Sequence, residues 1–196
     1  MADVPRWWGW GVQSKEFPLK PDAQKALFQE LGVAARAANS SEPPHPQLPN
    51  PRRVSPPCEF ADDQAARLIC ATGRSTPDLL RLRNNRILHA PDAVAYPQSE
   101  AEVHAVLQWA ATESVAVVPF GGGTSVVGGV EALSGEHRAV LAMDLKRLHR
   151  VLDVDSESGI ARIQAGILGP VLEQTLNASG LSLGHFPQSF EFSTLG

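Results

Sequence analysis

The sequence predicts an α+β fold, and three observations carry that prediction. Residues 92–119 read as strand, helix, strand. Beyond them, strands alternate with helices too irregularly for a regular doubly wound sheet. The 196 residues are 43% hydrophobic and 19% charged, a composition that supports a buried core and rules out wholesale disorder.

The first expected element is a helix over residues 21–37. Residues 43–57 then carry seven prolines in fifteen positions, which removes backbone donors and imposes extended conformations, so this stretch reads as a linker or surface strap. A short helix is expected over 62–71 and a strand over 93–96, broken by Pro97. Ser99 and Glu102 have the spacing of a capping box, with Ser99 accepting from the helix start and Glu102 reaching back. Val103, Val106, Leu107 and Ala110 follow at i, i+3, i+4 and i+7, an apolar face that should pack on a sheet. The apolar run 115–118 reads as a buried strand stopping at Pro119, and a connection of this kind between parallel neighbours is right-handed. Further strands are expected over 139–145, 150–154 and 160–165, with a turn at 156–159. A last helix starts near Pro170 and ends near Gly180.

Composition also excludes function classes. Seventeen basic residues against twenty-one acidic ones give a net charge of −4, with no basic block longer than a dipeptide, so nucleic acid is not an expected partner. No apolar stretch is long enough for a transmembrane segment, and the first residues lack the pattern of a secretory signal. Cys58 and Cys70 cannot build a disulfide framework and read as small apolar side chains in a reducing, cytoplasmic setting. The six histidines show no His-x-x-x-His spacing, so no metal site is indicated.

The most informative stretch is 119–129, with five glycines in eleven residues directly after a strand: Pro119, Phe120, Gly121, Gly122, Gly123, Thr124, Ser125, Val126, Val127, Gly128, Gly129. Glycines lose the most backbone freedom on folding, so their clustering needs a compensating role. Consecutive N–H groups without Cβ atoms can converge on an anion, and the Thr124 and Ser125 hydroxyls add donors, which makes a phosphate cradle. A tight turn or a bend crossing the sheet is the other reading. A Walker loop needs Lys where Gly129 stands, and G-x-G-x-x-G fails because Val126 occupies the third glycine position.

At this loop the sequence resembles the FAD-binding domain of the vanillyl-alcohol oxidase and p-cresol methylhydroxylase (PCMH) family of flavoproteins. The resemblance rests on Pro-x-Gly-Gly-Gly-Thr-Ser, on 91–97 before it, and on 154–155 and 163–166 after it. Two further segments, Trp7-Trp8-Gly9-Trp10-Gly11 and 184–196, resemble the alkyldihydroxyacetonephosphate synthase branch, flavoenzymes of ether-lipid synthesis. Read without the resemblance, the tryptophans are a hydrophobic anchor, Phe186, Phe190 and Phe192 are core, and Ser189, Ser193 and Thr194 form a turn.

The resemblance implies an incomplete PCMH-type FAD-binding domain over 91–196, preceded by a Trp-rich extension with a short helix (1–42), the proline-rich linker (43–57) and a helical lead-in (58–90). Pro119, Phe120, Gly121, Gly122, Gly123, Thr124 and Ser125 would hold the diphosphate of FAD. Gln188, Ser189, Phe190, Glu191, Phe192, Ser193 and Thr194 would lie near the flavin, with Thr194 nearest the reacting end. Gln188 stands where synthases tend to carry an acid. Thr124 replaces the histidine that tethers the cofactor in many relatives, so noncovalent FAD is expected.

No catalytic residue is assigned: the family's histidines and tyrosine would lie beyond Gly196, inside a motif that continues in relatives. The chain is therefore expected to be inactive alone, with a second chain as one possible source of the rest, and any peripheral membrane contact would lie in those missing parts. The implied activity is exchange of acyl for alkyl on acyl-dihydroxyacetone phosphate. The alternatives are a D-lactate or glycolate type 2-hydroxy acid oxidase or dehydrogenase, and a degenerate, non-catalytic FAD-binding module.

Overall fold

A computed structural model describes residues 4–15, 18, 20–32 and 45–196. In chain order the elements are α1 (Pro21–Glu30), β1 (Phe60–Ala61), α2 (Gln64–Ile69), α3 (Thr76–Arg83), β2 (Ala93–Ala95), α4 (Glu100–Glu113), β3 (Val115–Phe120), β4 (Ala139–Asp144), β5 (Val151–Asp155), β6 (Ile160–Ile163) and α5 (Gly169–Asn177). Helices and strands mix as an α+β fold predicts. The first helix ends at Glu30 with a turn at 31–32, and its expected continuation over 33–37 lies outside the described residues.

The four-stranded sheet has the order β1-β2-β4-β3, with β1 antiparallel to β2 and the other pairs parallel. The strand–helix–strand unit at 92–119 is present, but β2 and β3 are not neighbours: β4 lies between them. Every residue of β4 is buried, as the middle strand of a covered parallel sheet requires. The strand before the glycine loop does not stop at Pro119. It runs through to Phe120, because β3 is an edge strand and an edge tolerates a residue without an N–H.

Side-chain alternation divides the core between the two faces of this sheet. Ala93, Ala95, Leu141 and Met143 pack beneath Val106 and Ala110 of α4, with Val54 of the strap. Val94, Ala142 and Phe120 face the other way, against Cys70. Leu107, expected on the inner face of α4, is 46% exposed, and Trp109 packs inward instead. The Ser99 cap forms as expected, but Glu102 accepts from Gln98 N–H rather than from Ser99.

The proline-rich strap is tied down where it is described. Asp92 is buried and accepts from Arg52 N–H (2.8 Å) and from Val140 N–H (2.8 Å), while Arg67 donates to Pro49 O and Pro91 O. Helix α3 lies within the stretch 58–90 read as a helical lead-in, and Ser75 and Asp78 close a reciprocal cap at its start. It builds a second core in which Leu82, Leu68, Ala71 and Ile87 bury Trp7 and Trp8. The antiparallel ribbon β5–β6 is largely exposed, and α5 packs against it through Leu172 and Leu176.

Candidate cofactor site

Strand β3 delivers the glycine loop beside the chain's last segment, and that neighbour explains the glycines. A Cβ on Gly121 would lie 1.9 Å from Thr194 Oγ1, and one on Gly122 would lie 1.7 Å from the Phe192 carbonyl oxygen. Gly123 has φ +68° and sits on the Phe120 ring, 2.6 Å from where its Cβ would be. Two of the three glycines therefore admit a neighbouring segment, and one also supplies a left-handed turn.

The same packing leaves donors over. Among the described residues, no protein acceptor pairs with the backbone N–H of Gly121, Gly122, Gly123, Thr124 or Ser125. Five consecutive unpaired amides are unusual, because native chains satisfy nearly all of theirs. The loop is braced from its oxygen side: Arg74 N–H donates to Ser125 O (2.8 Å), and the Ser125 hydroxyl accepts from Gly129 N–H (3.0 Å). Bracing through oxygens with free amides is the arrangement an anion cradle requires.

The second predicted segment meets the loop only in part. Thr124 and Ser193 share a hydroxyl hydrogen bond (3.1 Å), and Thr194 lies against Gly121 with its hydroxyl donating to Gly196 O (3.0 Å). The Ser189 carbonyl accepts from Phe192 N–H and Ser193 N–H, closing a turn that aims the Phe192 carbonyl at Gly122. Phe190 packs on Phe186 and over Gly169. Gln188 and Pro119 are exposed, and Phe186, read as core, is 63% exposed.

Gly122, Thr124, Phe120, Glu191 and Phe192 line a cavity of about 700 Å³, within the range of small-molecule sites. The N-terminal hairpin, closed by a Pro5–Val12 bridge and by Arg6 N–H donating to Gly11 O (3.0 Å), lines it as well. Trp7 and Trp8 are the anchor the sequence suggested, while Trp10 turns to the cavity and is 38% exposed.

Four cations, Arg6, Lys15, Arg74 and Lys146, line the cavity against one carboxylate, Glu191, in a chain of net charge −4. Lys146 is paired with Asp144 (3.4 Å) and lies over the Phe120 ring. Arg74 is 7% exposed; burial pulls its guanidinium below the usual arginine range, opposed by the nearby Cys70 and Asp78. Sequence reading missed all four. They come from three separate parts of the chain, the N-terminal hairpin, the connection between α2 and α3 and the stretch after β4, and nothing in their spacing marks them.

Burial pushes the Cys70 thiol up to about 12, so it is an inert core side chain. Among the described residues, no group of three His, Cys, Asp or Glu is placed to hold a metal, and no helix is long and apolar enough to cross a membrane.

Comparison with known proteins gives consistent findings. The chain is similar to alkyldihydroxyacetonephosphate synthase of Dictyostelium discoideum, with 38% identity over 190 residues, or 95% of this chain and 31% of the relative. It is more distantly similar to glycolate oxidase subunit GlcD of Bacillus subtilis, with 28% identity over 74% of this chain and 28% of the relative. A solved structure of an alkyldihydroxyacetonephosphate synthase superposes with a TM-score of 0.84 at 32% identity, over 98% of this chain and 40% of that one. The chain thus spans about a third of the length of such relatives. The model of the FAD binding domain family matches residues 91–196, more than half of the chain and the part that carries both the glycine loop and the segment packed on it. On this match the chain belongs to the FAD binding domain family, and its cofactor is FAD.

Proposed function

We propose that the chain is the FAD-holding portion of an alkyldihydroxyacetonephosphate synthase, which exchanges the acyl group of acyl-dihydroxyacetone phosphate for a fatty alcohol. The observation that carries the reading is the run of five unpaired amides, 121–125, held beside a cavity by a segment packed on their glycines. The residues present fit the group. Each amide bond to a charged oxygen is worth about 1.5 to 3 kcal/mol, so three or four of them suit a diphosphate without any loop lysine. Bound FAD supplies a flavin ring whose redox capacity serves the exchange without net oxidation.

In this reading 119–125 hold the diphosphate, and Ser189, Ser193 and Thr194 stand toward the flavin with hydroxyls and carbonyls suited to its ring nitrogens and oxygens. Thr124, in the position where relatives carry a tethering histidine, supports noncovalent binding. No catalytic acid or base is assigned to this chain: among the described residues the cavity lining offers Glu191 as its one carboxylate and no histidine. The substrate pocket is assigned to sequence outside these 196 residues, in the same chain or a second one. The domain division at 42, 57 and 90 is kept, with 45–57 acting as a strap bound to Asp92 and Arg67.

The test is direct. The 196-residue chain should take up FAD and release it on heat denaturation. Joined to the remaining sequence, it should transfer a labelled fatty alcohol onto acyl-dihydroxyacetone phosphate. Flavin bleaching by glycolate or D-lactate without alkyl transfer would refute the synthase in favour of an oxidase. Failure to hold FAD would leave a non-catalytic module.

A further inference from the structure

The glycine loop has no lysine, yet the cavity it lines is also lined by cations. Arg6 and Lys15 reach the cavity on the N-terminal hairpin, and Arg74 reaches it from the connection between α2 and α3, where its N–H is bonded to the loop at Ser125 O. Among the described residues none of the three has a carboxylate within ion-pair distance. The Arg6 guanidinium donates to Lys15 O, and the Arg74 guanidinium donates to Thr72 O (3.3 Å) and Gly73 O (2.9 Å).

Arg74 is the telling member. It is more than nine-tenths buried, and a buried cation is costly unless a negative charge compensates it. Its nearest acid, Asp78, is already committed to Ser75 and Arg81. Two carbonyls accept from its Nη1, and no carboxylate among the described residues forms an ion pair with it. An anion in the cavity would meet this guanidinium and the free amides of Gly122 and Thr124, which line the same space. The hairpin is fixed there rather than loosely laid. Trp7 and Trp8 are buried under α3, and Arg83 Nε donates to Trp8 O (3.1 Å).

We propose that Arg6, Lys15 and Arg74 form, with the glycine-loop amides that line the same cavity, a subsite for a phosphate-bearing ligand, so that the N-terminal hairpin is part of the binding machinery. The identity of that ligand as the FAD diphosphate or the phosphate of dihydroxyacetone phosphate rests on the function proposed above; the subsite itself rests on the cations and amides.

The experiment is calorimetric titration of the full 196-residue chain with ADP, a diphosphate without flavin, and with dihydroxyacetone phosphate, a monoester. It is repeated on the R6Q/K15Q double variant and on Arg74→Gln. Arg6 and Lys15 lie outside the tryptophan core, so the double variant should melt like the parent and remains informative if the Arg74 variant does not fold. The parent should bind ADP, and the double variant should bind it at least tenfold more weakly, with the salt dependence of binding reduced. A tenfold loss confined to dihydroxyacetone phosphate would support the subsite and identify the substrate as its source. No binding of either anion by the parent, or unchanged affinities in a folded double variant, overturns the proposal even if FAD is held normally. ADP binding by a parent that does not hold FAD would uphold the subsite and refute the function proposed above.

Discussion

Gly122→Ala tests the packing argument at its tightest point. The new methyl would lie 1.7 Å from the Phe192 carbonyl oxygen and 2.8 Å from its carbon, so the obstacle is backbone. To restore a C···O contact of about 3.3 Å, that carbonyl must retreat by roughly 1.6 Å. The segment cannot yield freely. Phe192 N–H is bonded to Ser189 O (2.8 Å), Ser193 Oγ to Thr124 (3.1 Å) and Ser193 O to Gly169 N–H (3.2 Å). Losing two of these at about 1 kcal/mol each, with overpacking strain of about 1 to 2 kcal/mol, gives a destabilisation of ~3 to 4 kcal/mol. For a chain of this size that lowers the melting temperature by about 6 to 15 °C. Differential scanning fluorimetry reads the shift, and quenching of FAD fluorescence reads the accompanying loss of affinity. Gly129→Ala is the control: its Cβ would meet only Ser125 Oγ at 3.4 Å, ordinary contact, so both readouts should stay at parent values. A Gly122→Ala chain that melts and binds FAD like the parent would show that the segment does not rest on the loop, and the site geometry argued above would fail.

Two further outcomes follow from buried groups. Asp92→Ala strips the acceptor from the buried Val140 N–H and frees Arg52, so urea unfolding should show a loss of about 2 to 3 kcal/mol, because an orphaned buried donor costs its full desolvation penalty. Burial holds Cys70 up to about 12 from 9.0, and half-burial near Cys70 and Asp144 holds Tyr96 up to about 12 from 10.0. Both folded-state values are raised, so the stabilisation they represent is complete below pH 9 and is lost as pH climbs toward 12. Urea midpoints should therefore fall steeply over that window, and less steeply in Cys70→Ala; a midpoint flat from pH 9 to 11.5 would contradict the burial of both groups.

The glycine loop was legible because composition alone marks it, but the reason for its glycines was not. The sequence suggests conformational freedom and converging amides, whereas the atoms that forbid a Cβ belong to Phe192 and Thr194, about seventy positions downstream in a contact no local pattern encodes. The spacing at 103, 106, 107 and 110 locates the apolar stripe of α4 but not which edge faces the sheet, and Trp109 displaced Leu107 because the larger ring fills more of the space over the strands. Likewise, local patterns find β2 and β3 and cannot foresee that β4 inserts between them, since strand order is decided by long-range pairing. The cations of the cavity are the extreme case: residues from three distant parts of the chain with no motif.

The two readings of the loop, tight packing and anion cradle, are one arrangement seen from its two sides. A loop that bends freely would turn its amides to water or to its own carbonyls, and binding would then have to reorganise them. Here the carbonyl of Phe192 and the hydroxyl of Thr194 press on Gly121 and Gly122 from one side, and Arg74 N–H takes the Ser125 carbonyl from another. The peptide planes are set by neighbours that do not use the N–H groups. Their orientation is therefore fixed during folding rather than during binding, and holding them costs the ligand little ordering entropy. The buried Arg74 guanidinium extends the same logic, because a buried cation that forms no ion pair among the described residues gains most when an anion arrives. Selectivity for a phosphate over a neutral ligand then follows from what the fold leaves unpaired, with no lysine needed in the loop itself.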